Sequence, residues 1–251
     1  MEAQAMDRGT EAMGKYLTDM EKLSVRQTRR GCFQELLGCE AKTEMKYFAE
    51  GTNHIATSLE DSSFCLRLLC AGIYPFTAVI KDLDSGSEIM SVERPMACPV
   101  GACKCCCKQS MTFSSGNDDL GKIDEEYYYC VPRFTISDEK GNEVYKVHQP
   151  TCVGGMCVNC CSEGNPCCGK GCCKAAFHVF PASQEDTDGD ATYAGKILKV
   201  PKSMMTEIFT EAEAFDITFP KDATTEQKAM LTGTALFINA NFFEGQDDGG
   251  Q

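Results

Sequence analysis

Long hydrophobic runs are what this sequence most plainly lacks. The longest apolar segment, AMLTGTALFINANFF at Ala229 to Phe243, is interrupted by Asn239 and Asn241. It falls short of the roughly 18 to 20 apolar residues that a spanning helix needs, so a buried core helix is expected instead. The N-terminal stretch MEAQAMDRGTEAMGKYL is charged, with no apolar h-region and no small-residue cleavage site. A secretory leader is therefore not expected, and a reducing, cytosolic environment is. Positive charge is also scarce: 24 Lys and Arg against 37 Asp and Glu leave a formal net charge of -13. The summed field repels nucleic acid and anionic membrane faces alike, so nucleic acid is not expected as a partner, and membrane contact would need a lipid anchor or a divalent cation. Histidine occurs three times, at His54, His148 and His178, with no metal or triad spacing. Without a Gly-x-Ser-x-Gly elbow or a phosphate loop, the hydrolase and nucleotide-binding readings lack support, and no covalent chemistry is expected.

What the sequence has in excess is cysteine. Most of its 18 cysteines fall in two clusters, Cys98 to Cys107 and Cys152 to Cys173. A chain of this length can build a core without disulfide staples, so clustered thiols in a reducing compartment point to modification or to metal. The first cluster, ACPVGACKCCCKQS, has three adjacent thiols and no histidine, which makes tetrahedral zinc closure by this segment alone awkward. In the second, Cys157 and Cys160 form a CxxC among three CC pairs. A structural zinc site, further acylation and a reduced loop at the same end as the first cluster all stay open there.

Periodicity divides the chain into three. Met13, Tyr16, Leu17, Met20 and Leu23 recur at helical spacing before the basic VRQTRRG, so residues 1–30 read as a helical and basic arm that docks loosely. From Cys32 to Phe219, runs with period-two alternation such as PRFTISD, NEVYKVH and FDITFP are separated by turn signals such as DSGS, SGNDD, DEKGN and TDGDA. That pattern is mainly β. One convincing helix follows: Thr224 and Gln227 form a capping box, and Gly245 stands past the end. Its apolar residues, among them Met230, Leu231, Leu236, Phe237 and Phe242, go all round the cylinder, so it must be surrounded. Twenty helical residues span about 30 Å, roughly the height of a closed barrel. Residues 31–245 are thus expected to form a β-barrel around this C-terminal helix, and 246–251 a disordered tail.

Several motifs occur in one order: ERP and a Cys-rich run at Glu93 to Cys107, PRFTISDEKGNEVYKV, GKILK, FTEAEAFDITFP, and an apolar helix ending NFFEG. In this the chain resembles the phospholipid scramblases, from about Leu23 to Gly245. That family is similar in fold to tubby: a closed antiparallel barrel of twelve strands around a hydrophobic C-terminal helix. The proline-rich N-terminal arm of some members is missing here, so partner binding through it is not expected. The resemblance implies S-palmitoylation at Cys103, Cys105, Cys106 and Cys107, with the spacing at Cys98 altered, and places Lys104 and Lys108 at headgroups; zinc is the second reading. It also implies calcium binding by EAEAFDITFPKD, where Glu211 and Glu213 stand for family aspartates, Asp216 for a glycine, and Asp222 for the closing acid. By residue type this is no EF-hand, because Phe215, Ile217 and Phe219 fill ligand positions. A second calcium candidate, Asp186, Asp188 and Asp190 around Gly189, competes with a polar hairpin tip. Lys196, Lys199 and Lys202 partly match a nuclear-import segment of the family, against the reading of a solvated strand face.

The resemblance as a whole implies a palmitoyl-anchored protein of the cytoplasmic leaflet, chiefly at the plasma membrane, with a nuclear pool if not acylated. It would move phospholipids bidirectionally between leaflets when calcium rises. The alternative is a membrane-tethered, tubby-like regulatory protein that binds lipids or proteins without transporting anything.

Overall fold

Alternation in the described strands has one consequence throughout: every second side chain turns into a common core. The computed structural model describes residues 11, 13–28, 44–63, 74–96, 108–128, 131–149, 175–185, 187, 191–200 and 214–243. They form β1 (Lys22–Thr28), β2 (Glu44–Ala49), β3 (Asn53–Asp61), β4 (Phe76–Asp82), β5 (Glu88–Arg94) and β6 (Ser110–Ser115). Then come β7 (Asp118–Glu125), β8 (Arg133–Asp138), β9 (Glu143–His148), β10 (Ala175–Pro181), β11 (Gly195–Val200), β12 (Ala214–Thr218) and the helix α1 (Thr225–Phe242). In β4, for example, Phe76, Ala78 and Ile80 are buried while Thr77 and Lys81 are exposed. Each strand pairs antiparallel with the next, and β1 pairs with β12, which closes the barrel. The expected mainly β, twelve-stranded antiparallel barrel with a C-terminal helix is what the chain forms.

The helix fills that barrel. Thr224 accepts from the Gln227 backbone and the Gln227 side chain accepts from Thr224, the expected capping box. Residues Lys228 to Ala240 are buried without a break, as a helix apolar on all sides requires. Phe237 meets Phe134 edge to face at 5.4 Å between ring centroids; burying such a side chain contributes about 1.5 to 3 kcal/mol. Gly233 is where the helix touches the wall most closely: a Cβ there would lie 2.4 Å from the Phe113 ring. Gly245 and the tail lie outside the described residues.

The N-terminal segment departs from the loosely docked arm. Residues 13–17 are helical, and Met13 and Leu17 are buried in the core. The Tyr16 hydroxyl donates to Asp82 at 2.6 Å, and the buried Lys228 of α1 donates to the backbone oxygens of Leu17 and Thr18 at 3.0 and 2.7 Å. The segment thus stops one end of the barrel. The boundary drawn at residue 30 also differs from the structure, because part of VRQTRR is β1, which sits between β12 and β2. Leu23 and Val25 alternate inward there; Leu23 belongs to a strand and not to the preceding helical stripe.

A meander alternates ends, so each connection has a fixed side. The connections 50–52, 83–87, 116–117, 139–142, 182–194 and 219–224 lie at one end, the turn end. In the DEKGN turn, Gly141 takes φ 81 and the Asp138 carboxylate accepts from the backbone of Lys140 and Asn142. The connections 29–43, 62–75, 95–109, 126–132, 149–174 and 201–213 join strands at the other, the connection end. Every one of the 18 cysteines belongs to a connection of this second kind.

Candidate functional site

The connection end is where the inward pattern turns polar. On β3, β5, β7 and β11 the inward positions run from apolar residues to Glu60, Arg94, Glu125 and Lys199, all buried. Buried charge is costly unless partnered, and the partners here come from neighbouring strands and from α1. Arg94 donates to the Gln109 amide oxygen at 2.9 Å and to that of Asn241 at 2.8 Å, and its guanidinium lies 5.9 Å from the Phe76 ring centroid. The Gln109 backbone donates to Glu125 at 3.2 Å. Burial and then the Glu125 charge push the Tyr128 hydroxyl well above its ordinary range. Lys199 sits 3.5 Å over the Phe243 ring. Two cations thus stand at the C-terminal end of α1, where the helix dipole favours them and where the helix itself has no basic residue in its last turn.

Asn239 completes this collar. It is 1% exposed, and neither atom of its amide has a hydrogen-bond partner. It faces Ser58, Glu60 and Phe76 across a cavity of about 20 Å³, the size of roughly one water molecule. Through Arg94 to Asn241 and Lys199 over Phe243, the collar holds the C-terminal end of the helix. Among the described residues no three metal-ligating side chains come together, and no helix is long and apolar enough to cross a membrane.

Some of the residues singled out in the sequence have described positions. Asp216 faces outward from β12, accepts from Ser24 at 2.7 Å and pairs with Arg26 at 2.7 Å. Asp222 lies in the turn before α1, beyond the opposite end of β12 from the segment that contains Glu211 and Glu213. Of the calcium set, Asp216 stands on the strand and Asp222 in the turn beyond it, while Glu211 and Glu213 lie outside the described residues. Lys196 is half-buried on the outer wall, where burial first and then its charge hold the His178 imidazole below its usual range. Lys199 points inward and is 3% exposed. The two lysines therefore do not share a solvated strand face. Cys103, Cys105, Cys106, Cys107, Cys157, Cys160, Asp186, Asp188, Asp190, Lys202, Glu211 and Glu213 lie outside the described residues.

The collar itself escaped sequence reasoning. Arg94 was visible in the ERP motif and Lys199 in GKILKV, and strand parity, counted from Val92 and Ile197, was the signal that turns both inward.

Known proteins complete these observations. The profile described as Scramblase matches residues 2–245. Human phospholipid scramblase 1 is 27% identical over 230 residues, covering 92% of this chain and 65% of that protein. Bovine phospholipid scramblase 2 is 28% identical over 230 residues, covering 92% and 71%, and human phospholipid scramblase family member 5 is 25% identical over 234 residues, covering 92% and 76%. The chain thus spans just under two thirds of the length of human phospholipid scramblase 1. No solved structure matches it at significance.

Proposed function

The chain belongs to the scramblase family, and from that premise we propose that it moves phospholipids in both directions between membrane leaflets. In this reading palmitoyl chains hold it at the cytoplasmic face, chiefly of the plasma membrane, and calcium sets it going. The observation that carries the proposal is the family match along nearly the whole chain, together with relatives named as phospholipid scramblases. Moving a lipid from one leaflet to the other makes and breaks no covalent bond.

Anchoring has a physical basis in the segment with Cys103, Cys105, Cys106 and Cys107. One acyl chain gives marginal binding, and two or more give stable anchoring at about 0.8 kcal/mol per buried CH₂. For calcium, the proposal keeps Glu211 and Glu213, which belong to the connection from β11 to β12 at the same end as the cysteines. The other members of the set are Asp216, which pairs with Arg26, and Asp222, in the turn beyond the other end of β12. The helix fills the barrel, so the lipid path runs along the outside of the protein, through bilayer perturbed where it docks.

That filled barrel is also the one observation that favours the alternative, a tethered regulator without transport. The deciding experiment is reconstitution of the palmitoylated chain into liposomes with fluorescent phospholipid in both leaflets, followed by dithionite with calcium or with chelator. Bleaching beyond the outer-leaflet fraction, dependent on protein and calcium and without leak of a trapped solute, is the expected result. Vesicles that carry the protein yet lose only their outer-leaflet signal would establish the regulator instead. Metal analysis of anaerobically purified protein decides the zinc reading of Cys157 and Cys160, which fails if no zinc is found.

A further inference from the structure

The two ends of the barrel differ in charge. At the turn end, acids such as Glu50, Asp84, Asp118, Asp119, Glu139 and Asp222 outnumber the bases Lys15, Lys22, Lys140 and Lys221. Among the described residues of the connection end the two signs are closer to balance: Glu44, Asp61, Glu93, Asp124 and Glu126 stand beside Arg26, Lys46, Lys108 and Arg133. An anionic leaflet repels the first end and tolerates the second.

The second end also offers apolar contact. Among the described residues Met96, just past β5, and Tyr127, just past β7, are the most exposed large apolar side chains, at 56% and 55%, ahead of Leu83 and Tyr193 at the turn end. Their strands are two apart in the barrel, about 10 Å, and the half-exposed Leu59 stands near the end of β3, two strands further on. Between β3 and β5 an open groove of about 430 Å³ is lined by Pro75, Phe76 and Pro95 together with Asp61, Glu93 and Arg94. An aromatic ring with a polar tip beside a flexible thioether suits the layer where headgroups meet acyl chains.

We propose that the connection end is the face that docks on the lipid surface, with Met96 and Tyr127 entering the interface and the acidic turn end directed into solvent. The proposal rests on the membrane reading above and adds to it which end of the barrel meets the bilayer and which side chains enter it. It also orients α1: the helix stands with its C-terminal end and the Arg94–Asn241 contact toward the lipid, and the N-terminal stopper on the far side.

The chain contains no tryptophan, so single tryptophans report without background. The palmitoylated full chain is prepared with Met96→Trp or Tyr127→Trp, and, as probes of the opposite end, with Leu83→Trp or Tyr193→Trp. Each is mixed with phosphatidylcholine–phosphatidylserine vesicles whose acyl chains are brominated or plain, and flotation and lipid scrambling are measured on the same vesicles. The expected result is a blue shift and at least twofold bromine quenching at positions 96 and 127, with neither at 83 and 193. Replacing both Met96 and Tyr127 by serine should lower vesicle affinity roughly tenfold. Quenching at 83 or 193 that equals or exceeds that at 96 and 127, or no quenching at any position in chains that float with vesicles, overturns the docking face. If scrambling persists in that case, the functional reading survives without it. Chains that do not float overturn both.

Discussion

If α1 fills the barrel, the most informative single atom to add is a methyl group at Gly233. Two effects oppose each other in Gly233→Ala. Alanine in a helix interior is favoured over glycine by about 1 kcal/mol. Against that, the new Cβ would lie 2.4, 2.7 and 3.2 Å from three atoms of the Phe113 ring, so helix or ring must give by about 1 Å to reach ordinary contact near 3.5 Å. Phe113 is completely buried on the inward face of β6, and overpacking of such a site costs about 1 to 3 kcal/mol. An overlap this deep belongs in the upper half of that range, so packing wins: the variant should lose about 1 to 2 kcal/mol and melt roughly 2 to 8 °C lower. Urea unfolding measures the loss directly. The second half of the test is Phe113→Leu, which removes the ring edge; combined with Gly233→Ala it should cost less than the two single losses added, with a coupling of about 1 kcal/mol. A variant as stable as its parent, or strictly additive losses, would mean that the glycine face of α1 does not meet β6. The case against a lipid path through the barrel would then collapse with it.

Three further outcomes follow from buried polar groups. Burial pushes the Asp82 carboxyl up, but hydrogen bonds from Ser85, Tyr16 and the turn backbone outweigh it and bring it down to about 2. A carboxyl lowered in the fold stabilises above its ordinary pKa of 3.8, and that stability is lost as pH falls toward 2. Asp82→Asn should therefore cost about 2 kcal/mol at pH 7, with the gap to the parent closing between pH 4 and 2 in urea titrations; a gap constant over that range refutes the assignment. Tyr145 is pushed up to about 12 by burial and then by Asp222, so its contribution is intact below pH 10 and lost as pH rises to 12. Tyr145→Phe should flatten the alkaline decline, and an unchanged decline counts against it. Lys228→Met should lose about 2 to 4 kcal/mol, from two charge-assisted bonds to the stopper. It should also render residues 11–20 sensitive to proteolysis well before the barrel unfolds, and protection equal to the parent's would show that the stopper holds without it.

Local signals were legible in the sequence, and signals that depend on closure were not. The DEKGN hairpin and the Thr224–Gln227 box are settled by residues within five positions of each other, and both formed as read. A helix apolar on every side demanded an enclosure, and the barrel supplies it. β1 was hidden because VRQTRR continues a helical stripe, and what makes it a strand is pairing with β12, nearly two hundred residues away. The turn at Glu50 and Gly51 was missed for the opposite reason: glutamate rarely takes the positive φ of 50 that it has there. At the collar, Glu60, Arg94 and Lys199 carry chemistry that normally marks an outward position, and only strand parity contradicts it.

The seam between β1 and β12 has a consequence for how the molecule is made. Both the last stave of the cask and its filling arrive late: β12 and α1 occupy residues 214–242. During synthesis the first eleven strands form an open sheet with two bare edges, and its concave side presents Phe113, Phe134 and Phe177 to water until the final segment emerges. Unpaired edges and apolar faces are what nascent chains aggregate through. A chain that ends before residue 214 has neither seam nor filling, so residues 214–242, little more than a tenth of the sequence, decide whether the strands made before them stay soluble.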